Sequence, residues 1–216
     1  MRARSRSMAL LVLLLVLAGC DAPPGEDAIL AAEEPPVILF LGTSLTAGYG
    51  VLPHDAFPAL VEERLREAGA PHRVVVAGRS GETSAGARAR IDGELSSRVD
   101  VLVLESGAND LLQGTDPART RRNLQAIIDT ARARHPDIEI LLLGIAAPEE
   151  LATPHARRFA RIYPELAERN DVALVPSLLE GVAGVPERNL GDGVHPNPGG
   201  HRRMADTVWE ALVDLL

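Results

Sequence analysis

Five short apolar runs recur along the chain, separated by segments in which apolar residues have helical spacing. The runs lie at residues 37–41, 74–77, 101–104, 138–143 and 172–175. Apart from Glu139 in the fourth run, each run is continuous rather than alternating, which is typical of strands that are covered on both faces of a parallel sheet. Strand and helix alternate from residue 37 onward, so the pattern predicts one domain, residues 37–216, with a layered α/β fold.

Residues that commonly start helices precede several of the intervening segments. Asp55 is the predicted N-cap of a helix that begins near residue 57, and Asp116 and Asn197, each followed by proline, are predicted to begin two more. Pro164 lies inside the apolar stripe of a further segment, where it is predicted to remove one backbone hydrogen bond and to kink the helix. The inner face of the last helix is predicted to consist of Met204, Val208, Leu212 and Leu215.

The first 36 residues do not follow this pattern. Three early arginines precede an apolar run at 8–18, which has the length of a signal-peptide core and is shorter than the roughly 20 residues of a membrane-spanning helix. Residues 17–20 read Leu-Ala-Gly-Cys, which resembles the lipobox of bacterial lipoproteins, where the cysteine becomes the lipidated first residue. This predicts a signal peptide at 1–19 and a lipidated Cys20 at the start of a flexible tether, 20–36. The alternative is an ordinary signal peptide followed by a free thiol.

Charge and cysteine content restrict the expected partners. The net charge is -8, and loss of the arginines in the signal peptide would make it more negative. This balance argues against a nucleic-acid partner and against electrostatic attraction to anionic lipid headgroups. Cys20 is the only cysteine, so no disulfide forms within one chain. We therefore expect an exported protein, periplasmic or at the cell surface, that is anchored to a membrane only through the lipid on Cys20.

Candidate functional residues follow the predicted strands. Ser44 follows the first strand, Gly81 the second and Asn109 the third, while Asp192 and His195 lie just before the last helix. Ligands of open parallel sheets bind beyond the carboxyl ends of the strands, because the loops diverge there and helix N-termini point inward. The five residues are therefore expected to meet at one edge of the sheet.

These residue types form a plausible set for nucleophilic catalysis. A serine hydroxyl is a poor nucleophile near neutral pH and needs an adjacent base, which His195 supplies as a neutral imidazole. Asp192, three residues earlier, is placed to orient that ring, so the prediction is a triad of Ser44, Asp192 and His195. Gly81, whose N–H is unobstructed, and the amide of Asn109 are predicted to stabilise an oxyanion together with the Ser44 N–H. Taken singly, each residue is also an ordinary turn, cap or surface residue.

At this point the sequence resembles a known family. The four loops are similar to the four blocks of the SGNH (GDSL) hydrolases, and residues 80–84 and 162–164 resemble the bacterial thioesterase, arylesterase and lysophospholipase branch. The resemblance implies a three-layer flavodoxin-like fold with a five-stranded parallel sheet of order 2-1-3-4-5. It also implies hydrolysis through an acyl-enzyme on Ser44, with no cofactor and no metal. The family pattern assigns the oxyanion hole to Ser44, Gly81 and Asn109.

One position departs from the family pattern. The family's Gly-Asp-Ser reads Gly-Thr-Ser here, with Thr43 directly before the predicted nucleophile. A threonine hydroxyl still donates or accepts a hydrogen bond but carries no charge. The departure therefore concerns the local chemistry of the turn more than the triad.

The residues near the four loops also predict a substrate class. Leu111, Leu112 and Ile145, with the two alanines at 146 and 147, are expected to line an apolar groove beside the serine, and Tyr49 is the only aromatic residue in the four loops. We expect a monomeric enzyme that acts on a small acyl ester, thioester or lysophospholipid. The alternatives are a carbohydrate O-acetylesterase of the cell envelope and a non-catalytic acyl-binding lipoprotein.

Overall fold

The computed structural model describes residues 34–146 and 153–216. Its strands are β1 (Val37–Gly42), β2 (Arg73–Gly78), β3 (Val101–Glu105), β4 (Glu139–Leu143) and β5 (Ala173–Val175). Its helices are α1 (Ser44–Ala47), α2 (Phe57–Glu67), α3 (Ser84–Glu94), α4 (Ala108–Leu112), α5 (Pro117–Arg134), α6 (Pro154–Ala160), α7 (Ile162–Asn170) and α8 (Pro198–Leu212). The predicted signal peptide at 1–19, Cys20 and all of the tether up to residue 33 lie outside the described residues.

The strands form one parallel sheet in the order β2-β1-β3-β4-β5, which confirms the predicted fold class and strand order. β1 and β3 are buried along their whole length, as expected from their continuous apolar sequences. Leu41 lies opposite Leu104 near the ends of these two strands. The loops that follow β1 and β3 therefore leave the sheet side by side.

Two groups of helices cover the sheet. α2 packs against α8, and α5 packs against both α3 and α7. The buried faces of these helices are apolar; the inner residues of α8 include Met204, Val208 and Leu212, as predicted, while Leu215 belongs to a short 3-10 turn after the helix. Within residues 34–146 and 153–216, no helix is both long enough and apolar enough to cross a membrane.

The predicted starts of two helices are confirmed. The Asp116 side chain accepts a hydrogen bond from the backbone N–H of Ala118 at the start of α5. The Asn197 side chain accepts from the N–H groups of Gly199 and Gly200 at the start of α8. Both side chains thus satisfy donors that the first turn of a helix leaves without partners.

The prediction for Asp55 is wrong. Asp55 ends a short 3-10 turn, and Ala56 precedes α2 without a side-chain cap. The backbone N–H of Phe57 instead donates to Nδ1 of His201, 3.2 Å away on α8. A partner that is 144 residues away along the chain leaves no local mark on the sequence, so a capping rule cannot find it.

Pro164 is predicted to kink one helix, and the structure has two helices there, α6 and α7, which are separated only by Arg161, whose own backbone is helical. α6 ends at Ala160 and α7 begins at Ile162, which places Pro164 in the first turn of α7. Pro164 has no N–H that could donate to the backbone oxygen of Ala160, four residues earlier, so the missing hydrogen bond lies where α6 ends, in agreement with the predicted effect of the proline. The apolar stripe is buried nevertheless, with Phe159 and Tyr163 fully enclosed.

Candidate active site

Ser44 is the first residue of α1 and follows β1 by a single residue, Thr43. The turn between them is tight, and α1 is only four residues long. Ser44 is partly exposed, whereas Thr43 and the residue after the serine, Leu45, are buried. The serine hydroxyl therefore lies at the carboxyl edge of the sheet, on a turn in which the residues directly before and after the serine are buried.

Asp192 and His195 lie on a turn before α8 that brings the carboxylate to the imidazole. Asp192 accepts the backbone N–H groups of Val194 and His195, at 2.9 and 3.0 Å, and pairs with Nδ1 of His195 at 2.7 Å. These hydrogen bonds, with the backbone N–H of His195 first, lower the pKa of Asp192 to about 2. Asp192 is therefore ionised at neutral pH and holds a proton on Nδ1 of the neighbouring ring.

The other ring nitrogen of His195 faces the serine. Nε2 of His195 lies 3.1 Å from Oγ of Ser44, which is within hydrogen-bonding distance. With Nδ1 bonded to Asp192, Nε2 of the neutral ring is the acceptor. The structure thus brings together Ser44, His195 and Asp192 in the order that proton transfer from the serine requires; their roles in catalysis stay a prediction.

Tyr49 packs against His195, a contact that the sequence did not reveal. The two ring centroids are 4.4 Å apart with the planes tilted by 40°. Tyr49 is 52% exposed, so its ring covers one face of the imidazole from the solvent side. Packing of this kind restricts the rotation of a histidine that is otherwise held by one short turn.

Two of the predicted oxyanion donors, Gly81 and Asn109, come from loops that contact each other. Gly81 has a φ of +79°, a conformation that favours glycine. Asn109, in α4, donates one amide hydrogen from Nδ2 to the backbone oxygen of Glu82, the residue after Gly81, at 2.9 Å. This bond orients the amide and leaves its second hydrogen available. Asn109 lines the same groove as Ser44 and His195. Gly81 is not among the lining residues, and Asn109 contacts its loop through the backbone oxygen of Glu82.

A buried polar cluster holds these two loops in place. Asp110 accepts from the backbone N–H of Ser84 at 2.7 Å and from the Ser84 hydroxyl at 2.6 Å. Thr120 donates to the same carboxylate, and Asn123 donates to the Ser84 hydroxyl. This cluster was not predicted from the sequence, because the partners lie on α3, α4 and α5 and have no fixed spacing along the chain.

A second buried carboxyl, Glu105, lies at the end of β3. It is fully buried and accepts hydrogen bonds from Thr43 and Thr46, on either side of Ser44. Burial is the largest influence on this group and raises the pKa of Glu105. In the sequence, Glu105 stands out as a charged residue at the end of an apolar strand. The neighbouring residues do not indicate which groups bind to it.

An apolar groove of about 430 Å³ opens beside the serine and the imidazole. All three residues that the sequence predicted for it, Leu111, Leu112 and Ile145, line this groove. Ala146 also lines it, and Ala147 lies outside the described residues. Its other lining residues include three apolar side chains that were not predicted: Leu179, Ala183 and Val194. Within the described ranges, no group of His, Cys, Asp or Glu side chains is arranged to hold a metal ion.

The chain is similar to a known protein family and to several known proteins. The model of the GDSL-like lipase/acylhydrolase family matches residues 40–203. Esterase TesA of Pseudomonas aeruginosa is 37% identical over 94% of this chain and 98% of its own length. The Escherichia coli protein named thioesterase 1/protease 1/lysophospholipase L1 is 34% identical over 83% of this chain and 84% of its own. A crystal structure of TesA superposes with a TM-score of 0.79, at 37% identity, covering 83% of this chain and 99% of that one.

Proposed function

The chain belongs to the GDSL-like lipase/acylhydrolase family and is a hydrolase acting on ester bonds, and from that premise we propose that it cleaves acyl esters or thioesters through an acyl-enzyme on Ser44. The observation that carries the proposal is the 3.1 Å contact between Oγ of Ser44 and Nε2 of His195, in a ring whose Nδ1 is held by Asp192. This geometry activates a serine hydroxyl without any cofactor.

In the proposed acylation step, Nε2 of His195 takes the proton of the Ser44 hydroxyl while Oγ attacks the acyl carbonyl carbon. The tetrahedral intermediate then collapses as the bond to the leaving oxygen or sulfur breaks, and the imidazolium returns its proton to that atom. A water molecule subsequently attacks the acyl-enzyme with His195 again acting as base. The products are the carboxylic acid and the alcohol or thiol, and Ser44 regains its proton.

The negative charge of the intermediate is proposed to lie on an oxygen that accepts the backbone N–H groups of Ser44 and Gly81 and the free amide hydrogen of Asn109. Preorganised donors of this kind need no rearrangement when the charge develops. Their support is visible in the structure, because the Asn109 amide is already fixed by the Glu82 carbonyl. The hydrogen bonds from Ser84 to Asp110 also connect these two loops.

The substrate class is proposed from the groove beside Ser44. Its walls carry leucine, isoleucine, valine and alanine side chains, which favour an acyl chain by about 0.8 kcal/mol for each CH₂ that they desolvate. Among the described residues that line the groove there is no Phe, Tyr or Trp, although Tyr49 lies nearby against His195. Flat aromatic surfaces suited to stacking a sugar are therefore scarce at this site.

A series of p-nitrophenyl esters tests the proposal. We expect kcat/KM to rise from acetyl to about hexanoyl or octanoyl as each added CH₂ becomes buried, and Ser44→Ala measured in parallel gives the background. Acetylated xylose and an acetylated peptidoglycan fragment are the comparison substrates. A maximum at acetyl together with efficient deacetylation of the sugars would favour the carbohydrate O-acetylesterase instead. No turnover of any ester would favour a non-catalytic acyl-binding protein.

We also propose that the chain is exported and anchored through a lipid on Cys20. The support is the sequence alone: an apolar run with a basic start, the lipobox-like residues 17–20, and a proline-rich stretch before β1. Two or more acyl chains at one site hold a protein stably on a bilayer. Mass spectrometry of the mature N-terminus decides the question, and an unmodified Cys20 or an intact signal peptide would refute the proposal.

A further inference from the structure

The carboxyl group of Glu105 contacts the turn that presents Ser44 from both sides of the serine. Its Oε2 accepts the backbone N–H of Thr43 at 2.7 Å and the Thr43 hydroxyl at 2.9 Å. The hydroxyl of Thr46 donates to the same oxygen at 3.0 Å. Glu105, Thr43 and Thr46 are all buried, with exposed fractions of 0 to 1%. A buried carboxyl is costly unless it is hydrogen-bonded, and here the donors come from a single short segment.

The chain leaves room for this contact at Gly42. A Cβ atom at that position would lie 2.0 Å from Oγ1 of Thr46 and 2.6 Å from Oε2 of Glu105. Any larger residue would therefore displace the carboxyl or the threonine. Because Leu41 and Leu104 are paired at the ends of β1 and β3, Glu105 emerges one residue later, directly beside the start of the serine turn.

The serine turn has little support of its own. α1 has four residues, and Thr43 makes no side-chain cap within it. Helices this short are not stable without outside contacts, because one or two helical bonds do not offset the ordering of the backbone. The hydrogen bonds from Thr43 and Thr46 to Glu105 fix the residues one before and two after Ser44. We propose that Glu105 is a positioning residue that holds the Ser44 hydroxyl and its backbone N–H in the geometry needed for attack.

The threonine at position 43 is part of the same arrangement. Its hydroxyl contacts both carboxyl oxygens of Glu105, at 3.0 and 2.9 Å. An aspartate at this position would place a second carboxyl against Glu105, and two adjacent carboxyl groups cannot both ionise cheaply. Thr43 supplies a neutral donor instead. Thr43, which stands where the family has an aspartate, therefore donates to a carboxyl group from the neighbouring strand.

Glu105→Met tests the inference, because methionine has a similar length but accepts none of these hydrogen bonds. We expect kcat to fall roughly 10- to 100-fold, as for other small displacements of a reacting group, while KM stays within about twofold of the original value because the groove is untouched. The rate at which a fluorophosphonate labels Ser44 should fall by the same factor as kcat. Glu105→Gln should retain most of the activity, since its amide oxygen can occupy the position of Oε2.

Thr46→Val gives a second measurement if Glu105→Met does not fold. It removes one donor with little change of shape, and kcat should fall while KM is kept. The matched control is Thr130→Val on α5, whose hydroxyl donates only to the backbone oxygen of Ala126; its kcat should equal that of the unmodified chain. Unchanged kcat and labelling rate in folded Thr46→Val, or equal losses in Glu105→Gln and Glu105→Met, would overturn the inference.

This inference rests on the proposed role of Ser44, and the two failures can be told apart. If Ser44 is not the nucleophile, the unmodified chain is not labelled at Ser44 and Ser44→Ala keeps its turnover, whatever the Glu105 variants do. If only the role of Glu105 is wrong, Ser44 is labelled in the unmodified chain and equally fast in the variants.

Discussion

At the scale of single residues, the side chains of His195 and Asn109 are each held by few contacts. His195 is held through Nδ1 by one carboxylate oxygen and on one face by the ring of Tyr49. Asn109 is held through one of its two amide hydrogens. The atoms proposed to react, Nε2 of His195 and Oγ of Ser44, contact each other. The supporting groups thus leave the reactive atoms free to face a substrate.

The proposed role of Asn109 leads to a prediction at this scale. Asn109→Ala removes a donor to the developing oxyanion but leaves the serine and its base in place. We expect kcat to fall by about 10² to 10³ with little change in KM, as when an oxyanion-hole donor is removed elsewhere. Steady-state kinetics on a p-nitrophenyl ester measure both constants.

Asn170→Ala is the matched control, because the Asn170 amide bonds to Gln125 and to the backbone of α7 rather than to the site loops. It should leave kcat unchanged. An effect of Asn109→Ala confined to KM would mean that this residue positions the substrate and does not stabilise the transition state.

At the scale of secondary-structure elements, sequence patterns predicted the helix starts that depend on neighbouring residues. They failed where a helix start depends on a residue far away along the chain. The starts of α5 and α8 followed from Asp116 and Asn197, whose side chains bond to residues two or three positions later. The start of α2 did not follow from Asp55, because His201 on another helix accepts the Phe57 N–H. The buried carboxyls Glu105 and Asp110 were missed for the same reason.

The contact between His201 and α2 predicts a loss of stability in acid. Burial lowers the pKa of His201 to about 4, whereas an unfolded histidine titrates near ~6.5. Between these values the unfolded chain binds the proton and the folded chain does not, so stability decreases as the pH falls from about 6.5 to about 4. The expected contribution of this histidine is on the order of 2 to 3 kcal/mol across the whole window.

Urea denaturation at pH 7 and pH 5 measures this contribution. His201→Asn keeps an acceptor for the Phe57 N–H but removes the titrating ring. Because the smaller side chain packs less well at this buried site, the variant should be less stable at pH 7. Because the ring is gone, it should lose less stability on going to pH 5. His54→Asn is the control, since the side chain of His54 is 77% exposed. If His201→Asn and the unmodified chain lose the same stability between the two pH values, the buried ring does not cause the acid sensitivity.

At the scale of the whole molecule, the parallel sheet explains how residues from distant parts of the sequence meet. Ser44 and His195 are 151 positions apart yet lie within hydrogen-bonding distance. Their meeting at one edge could be predicted, because the loops that follow parallel strands all open at the carboxyl end of the sheet. The lining of the groove could be predicted only in part. Leu111, Leu112 and Ile145 were predicted because they follow β3 and β4 in the sequence. Leu179 and Ala183 were not predicted, because they come from an irregular segment after β5.

The proposed mechanism requires Ser44 to be the nucleophile, and covalent labelling can show which residue reacts. The chain is treated with a fluorophosphonate, digested and mapped by mass spectrometry, with Ser44→Ala in parallel. We expect one modified residue, Ser44, and a fall in kcat of roughly 10³ to 10⁶ for Ser44→Ala with substrate binding mostly kept. Modification of a different residue, or turnover in Ser44→Ala equal to that of the unmodified chain, would contradict it.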